Sequence, residues 1–382
     1  MKICFICGSI APGRDGVGDY TTSLATVLTQ NDRESCVISL TERTTGKDDF
    51  PFAHLRLTAD LDWKEKSSLV KEFLATEKPD VISLQYVPYA FDPKGLPKGF
   101  NHWLKENIGP VDFHIMFHEL WVAAEHGASF KSRILGTLQK RMISKMLSSL
   151  NPISVHTTNR VYKQLLKGIG IDANTLSLFS SIDPSKDNVD AFTMFEKAGI
   201  ELSNVNRKGW LLAGVFGTIH PTWNIERAFE LLASATQSSG KKAVFVLIGR
   251  NGTAAEAGIS KAQEQYPTVT VARLGALSDA EFNAAVSNLD FAFSASPWAL
   301  LGKSASASAL LGQRCPLVFT DDRWRLSKGT TPLPELKTGL YLDEPELEEK
   351  IVQGLEKPAL PPTVETIAEQ MYRDIEKGHQ EK

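Results

Sequence analysis

A Gly-Lys-Ser sequence follows a short apolar run in the last third of the chain. Gly302, Lys303 and Ser304 come after LDFAFSAS and before a small-residue helix pattern, and Lys303 is expected in the first turn of that helix. A helix N-terminus presents free N–H groups and partial positive charge, which favours a bound phosphate. No Asp or Glu occurs in residues 291–320. Pro297 stands where a Walker A loop needs glycine, so the alternative is a solvated lysine beside a helix cap.

A glycine-rich loop follows the first apolar run, KICFIC. Gly16 and Gly18 precede a helix that is expected to begin near Asp19, a further candidate contact. Glycines let the backbone approach a ligand closely, so this loop is a second candidate phosphate contact. Its spacing does not match a dinucleotide-binding fingerprint, and a tight turn is the alternative.

A histidine ends another apolar run, in the segment FHELWVAAEH. A neutral imidazole at a strand end can orient a hydroxyl or move a proton, so His118 is the candidate catalytic residue and Glu119 a candidate contact. A structural histidine is the alternative. Val122 replaces the second histidine of an H-E-x-x-H motif, so no metal site is predicted.

Other polar residues follow apolar runs in the second half of the chain. Arg250, in LIGRNG, is a candidate second positive contact for a phosphate. Thr218, His220 and Trp223, in GTIHPTWN, are candidate donor or acceptor contacts. A tryptophan on such a loop more often packs than binds.

The elements that must position these residues are short β-rich runs alternating with amphipathic segments of helix length, as in parallel sheets with crossover helices. The first series is KICFIC, SCVISL, DVISLQY, DFHIMF and ISVHTT, and the second is WLLAGVFG, KAVFVLIG, VTVARLG, DFAFSAS and CPLVFT. We predict an α/β protein with two doubly wound parallel-sheet domains, residues 1–185 and 206–360, facing across a cleft. Ligands then bind at the carboxyl ends of the strands. Residues 361–382 are expected to form a helix that can pack back on the first domain.

Length and composition limit the class of protein. The chain has 382 residues, 42% hydrophobic and 23% charged, with a net charge of −3, which suits two globular domains. Cys4 and Cys7 lie in one strand and face opposite sides, so we expect buried thiols and no redox pair. The apolar run before Gly8 is too short for a signal peptide, and no segment approaches the roughly 20 residues of a spanning helix. We expect a cytoplasmic protein without a nucleic-acid partner.

Positive charge is concentrated in residues 127–171, which contain eight basic residues and no acidic one. Within them, the helix predicted over 131–149 has an apolar stripe and a basic face. Such a helix can lie on the anionic inner face of a membrane or bind an anionic acceptor. Alternatively, its stripe packs on the sheet.

Taken in order, these segments resemble the GT-B-fold retaining glycosyltransferases of the family 4 type, which include bacterial α-mannosyl- and α-glucosyltransferases. The resemblance covers nearly the whole chain and includes the glycine loop, KPDVISLQYVP, the strand-end His118 and GVFGTIHPTWNIERAFELLA. It implies that the glycine loop approaches donor phosphates and acceptor, and that His118 contacts the transferred sugar. The family's two donor-site glutamates would fall on Ala299 and Ala307, and its Arg and Lys clamp near Thr218 and Trp223, so these polar groups are missing.

The resemblance implies a transferase of carbohydrate biosynthesis that moves a sugar from a nucleotide-sugar substrate, with retention. The acceptor would be a glycan, a lipid-linked molecule or a small molecule, and no metal or other cofactor is predicted. The missing glutamates leave open a non-catalytic binding or partner subunit. A sugar-nucleotide epimerase or a phosphorylase on the same fold is a further alternative.

Overall fold

The computed structural model describes residues 1–43, 49–182, 189–220, 223–320 and 323–382, with Ala254 described by its backbone alone. It divides into two compact units. The first contains residues 1–178, 325–332 and 362–382, and the second contains residues 179–324 and 333–361. The predicted domain boundary at residue 185 falls outside the described residues.

The first unit contains a seven-stranded parallel sheet in the order β3-β2-β1-β4-β5-β6-β7. Its strands are β1 (Ile3–Cys7), β2 (Ser35–Glu42), β3 (Ala53–Thr58), β4 (Val81–Tyr86), β5 (Asp112–Phe117), β6 (Ser154–Thr157) and β7 (Asn174–Thr175). The helices between them are α1 (Gly16–Gln30), α2 (Trp63–Glu77), α3 (Pro88–Phe91), α4 (Phe100–Ile108), α5 (Phe130–Leu150) and α6 (Arg160–Lys167).

The second unit contains a six-stranded parallel sheet in the order β10-β9-β8-β11-β12-β13. Its strands are β8 (Trp210–Phe216), β9 (Lys242–Ile248), β10 (Val269–Gly275), β11 (Phe291–Phe293), β12 (Leu317–Phe319) and β13 (Leu340–Leu342). Its helices are α7 (Ala191–Lys197), α8 (Ile225–Ser239), α9 (Thr253–Gln265), α10 (Asp279–Ser287), α11 (Ala305–Gly312) and α12 (Leu347–Gln353), with short 3₁₀ helices at Arg207–Gly209 and Trp298–Lys303. The last helix, α13 (Val364–Gln380), belongs to the first unit.

Both sheets confirm the predicted fold class, because every strand pair in them is parallel and helices alternate with the strands. All ten predicted β-rich runs contain a strand. Strand order reverses between β1 and β4 in the first sheet and between β8 and β11 in the second. Ligands of such sheets bind at the carboxyl ends of strands beside these reversal points.

Cys4 and Cys7 are buried in the core of the first sheet, as predicted. Strand β1 is fully buried, as both faces of a parallel sheet require, and Cys4 and Cys7 are free thiols within it. Burial raises the pKa of the Cys7 thiol, so this group behaves as a small apolar side chain. Helix α13 packs against α1 and β6, and its residues Ile367, Met371 and Ile375 are buried.

The apolar stripe predicted along α5 is buried in one half of the helix and exposed in the other. In its second half Ile143, Met146 and Leu147 are buried, whereas in its first half Ile134 and Leu138 are 49% and 40% exposed. Packing on the first unit therefore holds for the second half of the helix, whereas contact of the first half with an anionic surface stays a prediction. Within the described ranges, no helix is both long enough and apolar enough to span a bilayer.

Candidate functional site

The loop after β1 leads into α1, and a carboxylate caps the helix. Asp15 Oδ1 accepts hydrogen bonds from the N–H groups of Val17 and Gly18, at 2.9 and 3.2 Å. Asp19, in the first turn, accepts one from Gly13 N at 2.9 Å. Two negative charges thus lie where the sequence predicts a phosphate. The arrangement favours a ligand that donates hydroxyl hydrogens over an anion.

The two predicted glycine contacts differ in their surroundings. A Cβ on Gly18 would lie 2.2 Å from the carbonyl oxygen of Ser9, so α1 can approach the loop only with glycine there. A Cβ on Gly16 would meet nothing within 4 Å. Close packing of helix on loop therefore explains Gly18 without a ligand, while Gly16 is open.

A buried carboxylate on β2 accepts hydrogen bonds from the same loop. Glu42, at the end of β2, accepts hydrogen bonds from Ile10 N and Ser9 Oγ, each at 2.7 Å, and lies 3.3 Å from Arg56 Nη2. Burial opposes its ionisation, but these hydrogen bonds outweigh burial and lower the pKa of the Glu42 carboxyl. The loop that carries Asp15 is therefore fixed by a charged anchor, which the sequence did not indicate.

His118 lies directly after β5, and its backbone N–H donates to Tyr86 O at 3.1 Å. Its Nε2 lies 2.8 Å from Gln85 Oε1, and the Tyr20 ring packs edge-on against the imidazole with centroids 5.0 Å apart. Burial lowers the pKa of His118 to about 3, so the ring is neutral near pH 7. Because an amide oxygen only accepts, Nε2 carries the hydrogen and Nδ1 keeps its lone pair. Glu119 follows on the same loop, half-buried.

In the second unit, the loops after β8 and β9 are joined by hydrogen bonds. Asn251 Nδ2 donates to Gly217 O at 2.9 Å, and Ile219 N donates to Asn251 O at 3.1 Å. Thr218 Oγ1 lies 3.5 Å from Arg250 O. The structure thus brings the predicted contacts Thr218 and Arg250 together on one exposed edge, with Asn251 as the residue that sequence reasoning missed.

The loop after β11 adds the N-terminus of α11 to this edge. Ser304 caps the helix by accepting from Ala307 N at 3.3 Å, and its hydroxyl also contacts Ser296 Oγ at 3.0 Å and Ser306 Oγ at 3.2 Å. A Cβ on Gly217 would lie 3.5 Å from Ser306 Cβ, so the loop after β8 packs against the first turn of α11.

The predicted position of Lys303 is wrong, because the residue lies in the short helix before α11. It is the last residue of the 3₁₀ helix Trp298–Lys303, directly before the cap Ser304, and does not lie in the first turn of α11. Gly302 is in the same 3₁₀ helix. The reason is local: Ser304 has an extended backbone and makes the cap hydrogen bond, so the α-helix begins only after it.

The remaining predicted contacts of the second unit separate into exposed and buried groups. His220 is exposed on the loop after β8, whereas Trp223 is buried in the core with its ring 6.1 Å from that of Phe293. Ala299 and Ala307 are each 2% exposed. These two positions, where the resemblance would put glutamates, fit small apolar side chains.

A cavity of about 350 Å³ lies beside α5 in the first unit. Its walls are mainly apolar, with Phe100, Leu138 and Met142 among them, and three cations line it, Lys98, Arg141 and Lys145. Buried Gln139 holds α5 in place by donating to Gly95 O and accepting from Val122 N. Such a lining suits an amphiphile with an anionic head group.

Within the ranges that the structure describes, no three His, Cys, Asp or Glu side chains group as metal ligands. Independence from metals stays a prediction.

The chain is similar to solved structures along almost its whole length. One is an alpha-glucosyltransferase in complex with UDP and a 13-mer DNA, with a TM-score of 0.52, 14% identity, and coverage of 100% of this chain and 94% of that one. Another is the lipopolysaccharide outer core galactosyltransferase WaaB, with a TM-score of 0.51, 11% identity, and coverage of 100% and 98%. A third is UDP-GlcNAc 2-epimerase from Methanocaldococcus jannaschii, with a TM-score of 0.53, 12% identity, and coverage of 99% and 100%.

No protein-family model matches the chain, and neither does any curated protein sequence. At 10–14% identity the structural likeness establishes the fold alone. Two doubly wound parallel-sheet units, together with these neighbours, give the chain the GT-B fold.

Proposed function

We propose that the protein is a glycosyltransferase that moves a sugar from a nucleotide-sugar donor to a hydroxyl acceptor, with retention. The second unit binds the donor through the edge formed by the loops after β8, β9 and β11. The first unit carries the acceptor side, with His118 as the residue that contacts the reacting sugar. Electrostatic stabilisation of the leaving diphosphate is the main catalytic contribution.

The observation that carries this proposal is the convergence of Thr218, Arg250 and the Ser304 cap on one edge of the second sheet. The first N–H groups of α11 have no acceptor within the helix, so they can bind phosphate oxygens. Arg250, on the loop after β9, and Lys303, directly before the Ser304 cap, add positive charge near these N–H groups. Among the neighbours with this fold, two were solved with UDP and a third with UDP-2-fluoro glucose, which makes UDP the first nucleotide to test.

Ribose recognition must differ from that of the family the sequence resembles. Glutamates at positions 299 and 307 would each add charge-assisted hydrogen bonds worth about 1.5–3 kcal/mol, and alanines cannot replace them. We propose that the hydroxyls of Ser296 and Ser306, beside Ser304, bind the ribose hydroxyls instead. Neutral hydroxyls bind ribose more weakly, so the donor affinity rests mainly on the diphosphate.

Thermal unfolding with UDP, GDP, ADP, CMP and their sugar conjugates tests the donor proposal. A ligand at 100 times its Kd adds about 2.7 kcal/mol, which raises Tm by several degrees. Lys303→Gln should reduce the shift, whereas Lys261→Gln, an exposed lysine on α9, should not. The absence of a shift with every nucleotide would contradict the proposal and favour a non-catalytic subunit.

Product identification separates the transferase from other enzymes on this fold. Incubation with the stabilising nucleotide sugar should release the nucleoside diphosphate, and the new glycosidic bond should keep the donor's anomeric configuration. An epimerised nucleotide sugar without release would favour an epimerase, which the likeness to UDP-GlcNAc 2-epimerase makes the alternative to exclude first.

We also propose that the first half of α5 contacts an anionic membrane surface. Phe130, Ile134 and Leu138 lie four residues apart along one row, and they are 77%, 49% and 40% exposed. Basic side chains flank this row and the adjoining cavity: Lys98, Lys131, Arg133, Arg141 and Lys145. An apolar row beside cations matches an interface of acyl chains and anionic head groups.

Vesicle sedimentation tests the membrane contact. The protein should sediment with vesicles of phosphatidylcholine and phosphatidylglycerol, and less with phosphatidylcholine alone or at high salt, because each cation near an anionic surface contributes about 1 kcal/mol. Phe130→Ser should weaken binding. Val205→Ser, a matched change at a residue that is 96% exposed in the second unit, should not. Equal binding by both variants would contradict this surface.

A further inference from the structure

Behind His118, a continuous chain of buried hydrogen bonds crosses the first sheet. It runs over three adjacent strands, β4, β5 and β6, and ends on α13. Its members, in order, are His118, Gln85, Ser83, His114, His156 and Asp374. The four members between His118 and Asp374 are fully buried. Asp374, by contrast, has a side chain that is 30% exposed.

Every link in this chain has the length of an ordinary hydrogen bond. The distance is 2.8 Å from Gln85 Nε2 to Ser83 Oγ and 2.8 Å from Ser83 Oγ to His114 Nδ1. It is 2.9 Å from His114 Nε2 to His156 Nδ1, and 2.8 Å from His156 Nε2 to Asp374 Oδ2. The Ser154 hydroxyl lies 3.4 Å from His156 Nδ1 as a weaker additional contact.

The carboxylate at the end fixes the direction of the other bonds. A carboxylate only accepts, so His156 donates to Asp374 through Nε2 and accepts at Nδ1. His114 must then donate through Nε2 and accept at Nδ1, which makes the Ser83 hydroxyl its donor. These bond directions require both imidazole rings to be neutral. Burial lowers the pKa of both His114 and His156, and the neighbouring Asp374 only partly opposes this for His156.

The same direction continues to His118. Because Ser83 donates to His114, it accepts from the Gln85 amide nitrogen, and Gln85 turns its oxygen toward His118. His118 therefore carries its hydrogen on Nε2, and Nδ1 stays available to accept a hydrogen bond. A buried network in which each member hydrogen-bonds to the next specifies one arrangement of its members.

We propose that Asp374, on the C-terminal helix, is a positioning residue that sets the tautomer of His118 through this chain. The proposal rests on the proposed function, in which His118 Nδ1 accepts a hydrogen bond from a sugar or acceptor hydroxyl. The chain does not conduct protons, because the Gln85 amide would have to become an imidic acid to pass one on.

Replacing the carboxylate with an amide removes the fixed direction. An asparagine at 374 can accept from His156 as the carboxylate does, or it can donate to Nε2. If it donates, each following bond can reverse, the Gln85 amide flips, and His118 carries its hydrogen on Nδ1. Asp374→Asn should therefore give a mixture of His118 tautomers, whereas Asp374→Glu keeps a charged acceptor.

Nitrogen NMR of the ligand-free full-length protein, labelled on histidine, measures the tautomer directly. The His118 signals are assigned by their loss in His118→Gln. We expect protonated Nε2 in the natural protein and in Asp374→Glu, and mixed protonation in Asp374→Asn. Glu376→Gln also removes one negative charge from α13, two residues after Asp374. Because Glu376 is not a member of the hydrogen-bond chain, this variant should leave the signals unchanged. An unchanged tautomer in a folded Asp374→Asn protein would overturn the proposal.

Kinetics then connect the tautomer to turnover. A wrong histidine tautomer can cost kcat up to about 10⁴-fold. A mixture should lower kcat to the fraction of His118 that keeps its hydrogen on Nε2, a loss of about 2-fold for an equal mixture, with the nucleotide-induced Tm shift unchanged. If kcat is unchanged although the tautomers mix, the positioning role is overturned. If the tautomers mix but the natural protein transfers no sugar, the chain of hydrogen bonds stands and the proposed function fails.

Discussion

The carboxyl edges of the two sheets carry side chains of opposite charge. At the first edge, α1 begins with two carboxylates, and His118, after β5, is buried and neutral. At the second edge, α11 begins with serine hydroxyls, with Lys303 before them and Arg250 on a neighbouring loop. Two helix N-termini, alike in backbone geometry, thus differ in charge.

The difference indicates that side chains, more than helix dipoles, decide what an edge binds. A helix dipole contributes about 0.3–1 kcal/mol, whereas a carboxylate cap both uses the free N–H groups and adds a full negative charge. The first edge is therefore suited to hydroxyl groups and the second to a diphosphate. Four predictions test this comparison, from the largest expected effect to the smallest.

Acid should unfold the first unit before the second. Burial lowers the pKa of His114, His118 and His156, all in the first unit, while the unfolded chain takes up these protons near pH 6.5. Below that pH the unfolded state binds more protons, so stability falls by up to about 1.4 kcal/mol per pH unit for each histidine.

Hydrogen exchange between pH 7 and pH 5 should reveal this loss in first-unit peptides. The second unit has one histidine, exposed His220, and should keep its protection. His102→Gln, at an exposed histidine, should leave the pH dependence unchanged. Simultaneous loss of protection in both units would contradict the contrast in buried histidines.

Adding one methyl group should affect the free energy of unfolding in opposite directions at the two glycines of α1. Gly18→Ala puts a Cβ against the Ser9 carbonyl and should cost about 1–3 kcal/mol or more. Gly16→Ala has open space and should stabilise by up to about 1 kcal/mol, because alanine favours the helix. Urea unfolding of the two variants measures the difference, and equal stabilities would contradict the close packing of α1 on its loop.

A carboxylate at the cap of α11, like the one at the cap of α1, should weaken nucleotide binding at the second edge. Ser304→Asp keeps a good helix cap but puts a carboxylate where we propose the diphosphate, so affinity should fall about 10-fold to 100-fold. Isothermal titration with the nucleotide that stabilises the protein most in the thermal unfolding experiment measures the loss. Ser129→Asp, the same change at the cap of α5, is the control and should bind normally.

The smallest effect is expected from neutralising the cap of the first edge. Asp15→Asn keeps the cap hydrogen bond and removes the charge, so stability should change by less than about 1 kcal/mol. Acceptor KM should rise while donor affinity stays constant. A change in donor affinity instead would mean that the first edge binds the diphosphate after all.

The strands were predictable because parallel strands buried on both faces leave continuous apolar runs, as in β1 and β9. β3, β7 and β13 were missed: AHLRLT in β3 mixes polar and apolar residues, and the other two strands have only two or three residues. The cap of α11 was misplaced by one element, because a 3₁₀ helix before a serine cap has no distinct periodicity over so few residues.

The sequence alone indicated the fold class, ten of the thirteen strands of the two sheets, the loops that follow those strands and His118 as a candidate. These follow from local patterns of burial and from the chain's order. Only the tertiary structure decided which groups meet: Asp15 on the N–H groups of α1, Ser306 against Gly217, and Asp374 joined to His118 through four buried residues. Such contacts join residues as many as 218 positions apart. Their geometry is set by how helices pack on the sheet, and no short stretch of sequence encodes it.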